Sequence, residues 1–200
     1  MNMQILVPGI GRPYVAGEPV DFSAPLAFTV PRVMSLAECA EQIARIDRLG
    51  PAPAPITTAH GFVMRPELRN NTRVMFDDPA LAAELFGRLL PSLPSPLFGR
   101  RPVGVNERFR CYRYEPGQRF GPHYDGAFCR DDREASELTL LVYLNDDFVG
   151  GETAFLQHGL VVAPVRGHAL LFQHHQLHEG RAVDAGCKYV LRSDVMYADG

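Results

Sequence analysis

The sequence predicts a mainly β chain with flanking helices: a double-stranded β-helix, or jelly roll, with N-terminal helices packed on one sheet. Two observations predict it. Helix-start signals and helical periodicity are confined to the first half, whereas short alternating runs separated by turn residues begin near residue 107. The longest of those runs also alternate greasy with charged side chains, the pattern of strands with two differently buried faces. The expected organisation is one domain over 1–200, with a helical lead-in about 21–100 and a jelly-roll core about 105–198.

Each element has its own signal. Ser35 and Glu38 make a capping box, and Leu36, Cys39, Ala40, Ile43 and Ile46 follow at helical spacing, predicting a helix over 35–49. Asp78 before Pro79 reads as an N-cap with proline at the first helical position, and Leu81, Leu85 and Leu89 continue one stripe over 79–90. Pro91, Pro94 and Pro96 end it. A short strand is expected at Ala27 to Val30, and the Pro/Ala stretch 51–55 reads as a connecting loop. Eight strands are expected near 107–115, 119–125, 137–145, 153–157, 159–163, 168–173, 175–179 and 187–197. Glu115, Pro116, Gly117 and Gln118 spell a type II turn, predicting that the first two of these form a hairpin. Gly150 and Gly151 suit a tight strand turn.

In 138–144, Leu138, Leu140, Val142 and Leu144 form a greasy face and Thr139, Leu141 and Tyr143 the other. In 188–197, Tyr189, Leu191, Val195 and Tyr197 oppose Lys188, Val190, Arg192, Asp194 and Met196. If the greasy faces meet the helices, the charged faces point into the barrel, where charge is costly unless it meets a ligand, a metal or an opposite charge. The alternative leaves the charged face in water.

Composition is that of an ordinary soluble domain, at 46% hydrophobic and 22% charged residues. A net charge of −3 announces no nucleic-acid or anionic-membrane partner. No apolar run reaches membrane-spanning length, and the N-terminal residues lack both a basic segment and a long apolar core, so a cytoplasmic location is expected. Cys39, Cys111, Cys129 and Cys187 are scattered, which favours reduced thiols over a disulfide framework or a structural zinc site.

The chemistry lies in His123, Asp125 and His178. A His and an Asp two apart on a strand share a face, and a second His from a distant strand completes two imidazoles and one carboxylate, the ligand set of non-haem Fe(II) centres with open positions. His174 and His175 are rivals for the third ligand; His60, His158 and His168 read as structural or surface groups.

Five ordered segments go further: 114–125 (YEPGQRFGPHYD), 139–145 (TLLVYLN), 150–155 (GGETAF), 167–172 (GHALLF) and 178–189, which starts HEG and ends GCKY. Together they resemble the 2-oxoglutarate/Fe(II) dioxygenases of the prolyl 4-hydroxylase type, and the stretch from Phe28 through the 35–49 helix looks like the lead-in of that group. The resemblance implies that His123, Asp125 and His178 hold Fe(II), that Lys188 pairs with the C5 carboxylate of 2-oxoglutarate, and that Tyr114 and Thr139 add hydroxyl donors to it. It implies O₂-dependent hydroxylation of a C–H bond with release of succinate and CO₂, and ascorbate as the expected reductant. The substrate it implies is a peptidyl residue, proline first, or a small amino-acid-like metabolite, and no nucleic-acid or membrane partner is expected. Phe120 departs from the pattern, because prolyl hydroxylases often carry tyrosine three positions before the first metal histidine; this puts proline specificity in doubt.

Other assignments stay open. Arg192, four after Lys188 and roughly 13 Å from it along a strand, either binds an anionic part of the substrate, braces the C1 end of 2-oxoglutarate, or makes an internal salt bridge to Asp125 or Asp194. Tyr143 either supports the site or simply packs. The polar loop Gly126 to Glu137 serves recognition or is a solvated hairpin tip. A cupin-like metalloenzyme that does not use 2-oxoglutarate and a metal-binding or sensing module without turnover are the competing readings. Zinc hydrolysis, whose usual ligand sets favour histidine or cysteine, fits least.

Overall fold

The computed structural model describes residues 2–58 and 61–200; His60 lies outside the described residues. The lead-in holds β1 (Gln4–Val7), β2 (Ala27–Val30), α1 (Leu36–Leu49), β3 (Ala52–Pro53), β4 (Ile56–Thr58), β5 (Gly61–Val63), β6 (Thr72–Asp77) and α2 (Pro79–Leu89). There follow β7 (Arg101–Val105), β8 (Arg108–Tyr114), β9 (Phe120–His123), β10 (Glu134–Tyr143), β11 (Val149–Gly150) and β12 (Thr153–Phe155). The last are β13 (Leu160–Val162), β14 (Ala169–Gln173), β15 (His178–Gly180), β16 (Val183–Ala185) and β17 (Lys188–Ala198).

Both helices form for the expected local reasons. The Ser35 hydroxyl accepts from the Glu38 N–H, the Glu38 carboxylate accepts from the Ser35 N–H, and Gly50 closes α1 in the left-handed region at φ 71°. Asp78 accepts from the Leu81 N–H at 3.0 Å to start α2, and its other oxygen takes Arg45 Nη1 of α1 at 2.6 Å. One cap therefore also joins the two helices.

The main sheet is nine-stranded, ordered β1-β2-β14-β10-β17-β8-β6-β3 with β7 also on β17; the second is β13-β12-β15-β9, and all the pairings are antiparallel. The alternation decides which face goes where. Leu138, Leu140, Val142, Tyr189, Leu191, Val195 and Tyr197 pack with Cys39, Ile46, Leu85 and Leu89 of the helices. The opposite face of the same strands looks into the space between the sheets, where Tyr112, Tyr114, Tyr143, Phe155, Phe172 and Val190 form a second apolar cluster. The charged face of β17 is therefore interior: Lys188 is 3% exposed and Asp194 1%. This is a jelly roll with helices on one outer face. Ile46→Ala should cost about 2–5 kcal/mol through the cavity it leaves, read as a lowered urea midpoint.

Several expectations need correction. The 115–118 turn forms, with the Gln118 N–H donating to the Glu115 carbonyl at 2.9 Å and Gly117 at φ 81°, but the strands either side are not a hairpin. β8 joins the main sheet and β9 the second, so the turn carries the chain from one layer to the other. β9 is an edge strand, where Pro122, lacking an N–H, is tolerated. The 51–55 stretch contributes β3, which pairs with β6. Strands β1, β3, β4, β5, β6, β7, β11 and β16 lie outside the expected set; most have two to four residues, and β7 is interrupted by Pro102 and Gly104. Among the described residues, no helix is long and apolar enough to cross a membrane.

Candidate metal centre and co-substrate pocket

His123 ends β9 and His178 begins β15, and antiparallel register sets them opposite each other. Asp125 lies just past the end of β9. One ligand atom from each of the three falls within 4.8 Å of the others. The carboxylate oxygens stand 3.6 Å from Nε2 of His123 and 3.6 Å from Nε2 of His178. Each imidazole is pinned from behind: His123 Nδ1–H donates to the Gly121 carbonyl at 2.9 Å, and His178 Nδ1–H to the Gln176 carbonyl at 2.8 Å. That bond selects the tautomer whose Nε2 lone pair faces the carboxylate. Burial, reinforced by His178, pushes the His123 imidazolium down to about 3, and burial lowers His178 too. Both rings are neutral acceptors at neutral pH.

Burial alone would raise the Asp125 carboxyl, but Arg192, the two histidines and Thr139 outweigh it and hold the group well below the usual carboxylate range. Three lone-pair donors thus converge with no proton between them, an arrangement that a divalent cation stabilises and that suits Fe(II) in its two-histidine, one-carboxylate form.

Asp125 is held from two further sides. Arg192 Nη2 meets Oδ1 at 2.8 Å, and the Thr139 hydroxyl donates to Oδ2 at 2.7 Å. Thr139 accepts in turn from His174 Nδ1 at 3.0 Å, while His174 Nε2 bonds the Ser136 hydroxyl at 2.9 Å. Ser136 takes the Phe128 N–H at 2.8 Å. A buried hydrogen-bond chain therefore runs from the 126–137 loop to the carboxylate. His174 belongs to that chain and not to the ligand group. His175 is exposed beside Tyr124, and His158 bonds Gln176. Thr139→Val should lower metal affinity about 10–100-fold, the usual effect of removing a group that orients a ligand, measured by titration with Mn(II).

A pocket with an empty volume of about 420 Å³, counting its mouth, runs from these donors to Lys188; Tyr114, Tyr143, Thr153 and Val190 are in its wall. Lys188 lies opposite Tyr114 in the β17–β8 register. Its ammonium donates to the Gly151 carbonyl at 2.5 Å and sits 5.1 Å from the Tyr114 ring centre and 5.7 Å from that of Tyr143. Burial pushes it down to about 8, against the pull of Glu152. Gly151 is required here: at φ 68°, a Cβ on it would come 3.1 Å from Lys188 Cδ.

The structure brings His123, Asp125, His178, Lys188, Tyr114 and Arg192 to one cavity. It does not bring Thr139 to the lysine end. In the β10–β17 register Thr139 stands opposite Asp194, six positions from Lys188, or roughly 20 Å along the strand. The threonine beside Lys188 is Thr153, whose hydroxyl lies 2.8 Å from that of Tyr143. Sequence reasoning missed it, although its place two after Gly151 was a usable signal. Arg192 makes the internal pairs with Asp125 and, at 3.8 Å, Asp194, and donates to Tyr112 Oη at 3.3 Å. Phe120 stacks on the His123 ring, with centroids 3.6 Å apart.

A model of the 2OG-Fe(II) oxygenase superfamily matches residues 109–193. Prolyl 4-hydroxylase 1 of Arabidopsis thaliana is 31% identical over 111 residues, covering 46% of this chain and 39% of that one. A putative prolyl 4-hydroxylase of Acanthamoeba polyphaga mimivirus is 30% identical over 108 residues, 44% of each. The chain thus spans less than half the length of the curated relatives it matches. Among solved structures, the viral collagen prolyl hydroxylase of Paramecium Bursaria Chlorella virus-1 superposes with TM-score 0.62 at 22% identity, covering 86% of this chain and 96% of that one. A Trichoplax adhaerens prolyl hydroxylase, solved with a hypoxia inducible factor peptide, gives 0.63 at 18%, covering 87% and 84%. Residues 109–193 thus carry a 2OG-Fe(II) oxygenase match, and in ordered motifs and fold the chain is similar to prolyl 4-hydroxylases.

Proposed function

We propose that the protein is a 2-oxoglutarate- and O₂-dependent Fe(II) hydroxylase acting on a C–H bond of a peptidyl residue, proline first, or of a small amino-acid-like metabolite. The products are the hydroxylated substrate, succinate and CO₂, and ascorbate serves as reductant. One observation carries the reading: Lys188 is a buried ammonium with no carboxylate in salt-bridge range among the described residues, at the far end of a pocket that opens on the three convergent donors. A buried cation needs an anion, and a dicarboxylate reaching from metal to lysine supplies it.

His123, Asp125 and His178 would hold Fe(II), and Lys188 with the Tyr114 and Thr153 hydroxyls would hold the distal carboxylate of 2-oxoglutarate. When bound, that pair would activate O₂, the oxidant, for C–H hydroxylation, with 2-oxoglutarate oxidised to succinate and CO₂. The chain contributes placement. The Gly121 and Gln176 carbonyls orient the imidazoles, Arg192 and Thr139 fix the carboxylate, and Leu141, Val190 and Tyr143 exclude water from the co-substrate. The four cysteines are free, which accords with a reducing, cytoplasmic setting.

The test is an anaerobic titration of Fe(II)-loaded protein with 2-oxoglutarate, expecting a visible charge-transfer band, followed by succinate release under air without added substrate. A metalloenzyme of another kind would show no band; a binding module would show the band without succinate. Affinity should also report on Lys188. Because its ammonium is present below about pH 8 and lost above, binding should be flat below that value and weaken about tenfold per unit above it. A dissociation constant unchanged between pH 7 and pH 10, roughly spanning this window, would remove Lys188 from the site.

A further inference from the structure

A second cavity, a groove with an empty volume of about 1260 Å³ counting its mouth, opens on the other side of the donors. His123 and Asp125 belong to its wall, so a substrate lying there reaches the reacting centre. Arg69, Arg73, Arg110 and Arg192 line it, and among the described residues Asp125 is its one acidic lining residue. Antiparallel register explains the clustering. Arg110 of β8 is opposite Arg192 of β17 and Met75 of β6, and Arg73 of β6 is opposite Tyr112 of β8, all on the inner face. The row extends over two strand spacings, about 10 Å, away from Asp125.

The charges of this row are unevenly matched. Arg192 is taken by Asp125 and Asp194, and Arg110 by Asp194 at 3.1 Å. Arg73 has no carboxylate partner among the described residues, and its neighbours Arg69, Arg110 and Arg192 all carry the same sign. Arg69 is 3% exposed and lies over the rings of Tyr112, at 4.6 Å, and Phe120, at 4.3 Å. Its Nε donates to Asn71 and its Nη1 to the Pro55 carbonyl, while Nη2 has no partner among the described residues. A buried, unpaired guanidinium nitrogen beside a second unmatched arginine asks for an anion. The demand is for one compact anionic group. The neighbouring depression that shares Arg73 and Arg110 also presents Asp77 and Glu107, which oppose a polyanion.

The geometry points to a prime substrate bearing a carboxylate, held by Arg73 and Arg69 at the far end of the groove while its reactive C–H group lies toward His123 and Asp125. This rests on the hydroxylase reading and adds the substrate's chemical class. The carboxylate belongs either to a free amino acid or to an acidic residue of a peptide, since both present the same group.

The experiment uses the full chain and matched pairs of probes. One arm is a set of acetylated, amidated proline-centred peptides, each with one Glu at a different position, against the same peptides with Gln. The other is free L-proline against L-prolinamide. Binding is read by ligand-observed NMR, which needs no turnover, and stimulation of succinate release is read in parallel. In one arm or the other, the acid should bind about tenfold tighter than its amide or better, as expected for a charge-assisted contact. That preference should fall to within about twofold in Arg73→Gln and be partly kept in Arg73→Lys. Because the preference is a ratio measured within one protein, a partly destabilised variant still reports it. Acids and amides binding alike, an acid preference that survives Arg73→Gln, or no binding by any acid at millimolar concentration would each overturn the inference. Acid preference without succinate would leave the carboxylate site of the groove standing and remove the hydroxylase reading; succinate without acid preference would remove the carboxylate site and leave that reading intact.

Discussion

Lys188→Met should make the protein more stable and leave it unable to hold 2-oxoglutarate. Burial lowers the ammonium from 10.5 to about 8, so keeping it charged in the folded state costs on the order of 3 kcal/mol. The sign follows from the direction. Below pH 8 both folded and unfolded chains carry the proton and the penalty is fully present. Between about 8 and 10.5 the folded chain has released it while the unfolded chain keeps it, so stability climbs with pH. A thioether of similar length removes the charge and fills the same space between Tyr114 and Tyr143, so the variant should gain most of that amount at pH 7, roughly the reference condition. Losing one partner of a buried charged pair costs about 2–5 kcal/mol of binding, so affinity should fall at least about 30-fold. Thermal denaturation and the anaerobic titration read the two effects on the same samples, and Mn(II) binding should be retained. A variant that is less stable, or that binds the co-substrate normally, would contradict the assignment.

Asp125→Ala should be more damaging than loss of either histidine, and for a separate reason. Each of the three changes removes a ligand and should reduce substrate-free succinate formation to background, a loss of more than about a thousandfold. Only Asp125→Ala also strands Arg192, whose remaining carboxylate neighbour Asp194 is 3.8 Å away and already shared with Arg110. Leaving a buried guanidinium without its partner costs about 3–5 kcal/mol. His178→Ala should lose turnover with a smaller loss of stability. Equal urea midpoints for the two variants would show that Arg192 does not depend on Asp125.

How much of this was legible in the sequence depends on what each inference required. The two faces of β17 were readable because Lys188, Val190, Arg192 and Asp194 recur at every second position against Tyr189 and Leu191. Local pattern alone left the charged face free to lie in water or inside. What settles it is the second sheet, which local pattern does not describe. The metal donors were legible because His123 and Asp125 are neighbours in sequence and few histidines compete for the third position. Thr139 was misplaced because its role was carried over by motif, whereas its position is set by pairing register. The same reason hides the arginine groove: Arg69, Arg73, Arg110 and Arg192 are scattered over 124 positions; Arg73, Arg110 and Arg192 meet through the β6–β8–β17 pairings, and Arg69 joins them by its bridge to Phe120 of β9. The 115–118 turn shows the complementary case, a correct local conformation joining strands that part company.

The position of β9 at the margin of the smaller sheet has a further consequence. That strand is four residues long, is hydrogen-bonded to β15 on one side, and on the other is tied to the lead-in by Gly121 and Leu68. A cation gripped jointly by His123, Asp125 and His178 would rivet this short outer ribbon to its neighbour. Loading the centre should therefore slow amide exchange at Gly121 and resist clipping of the segment that follows, even where catalysis is blocked. The ion then acts as a fastener as well as a reagent.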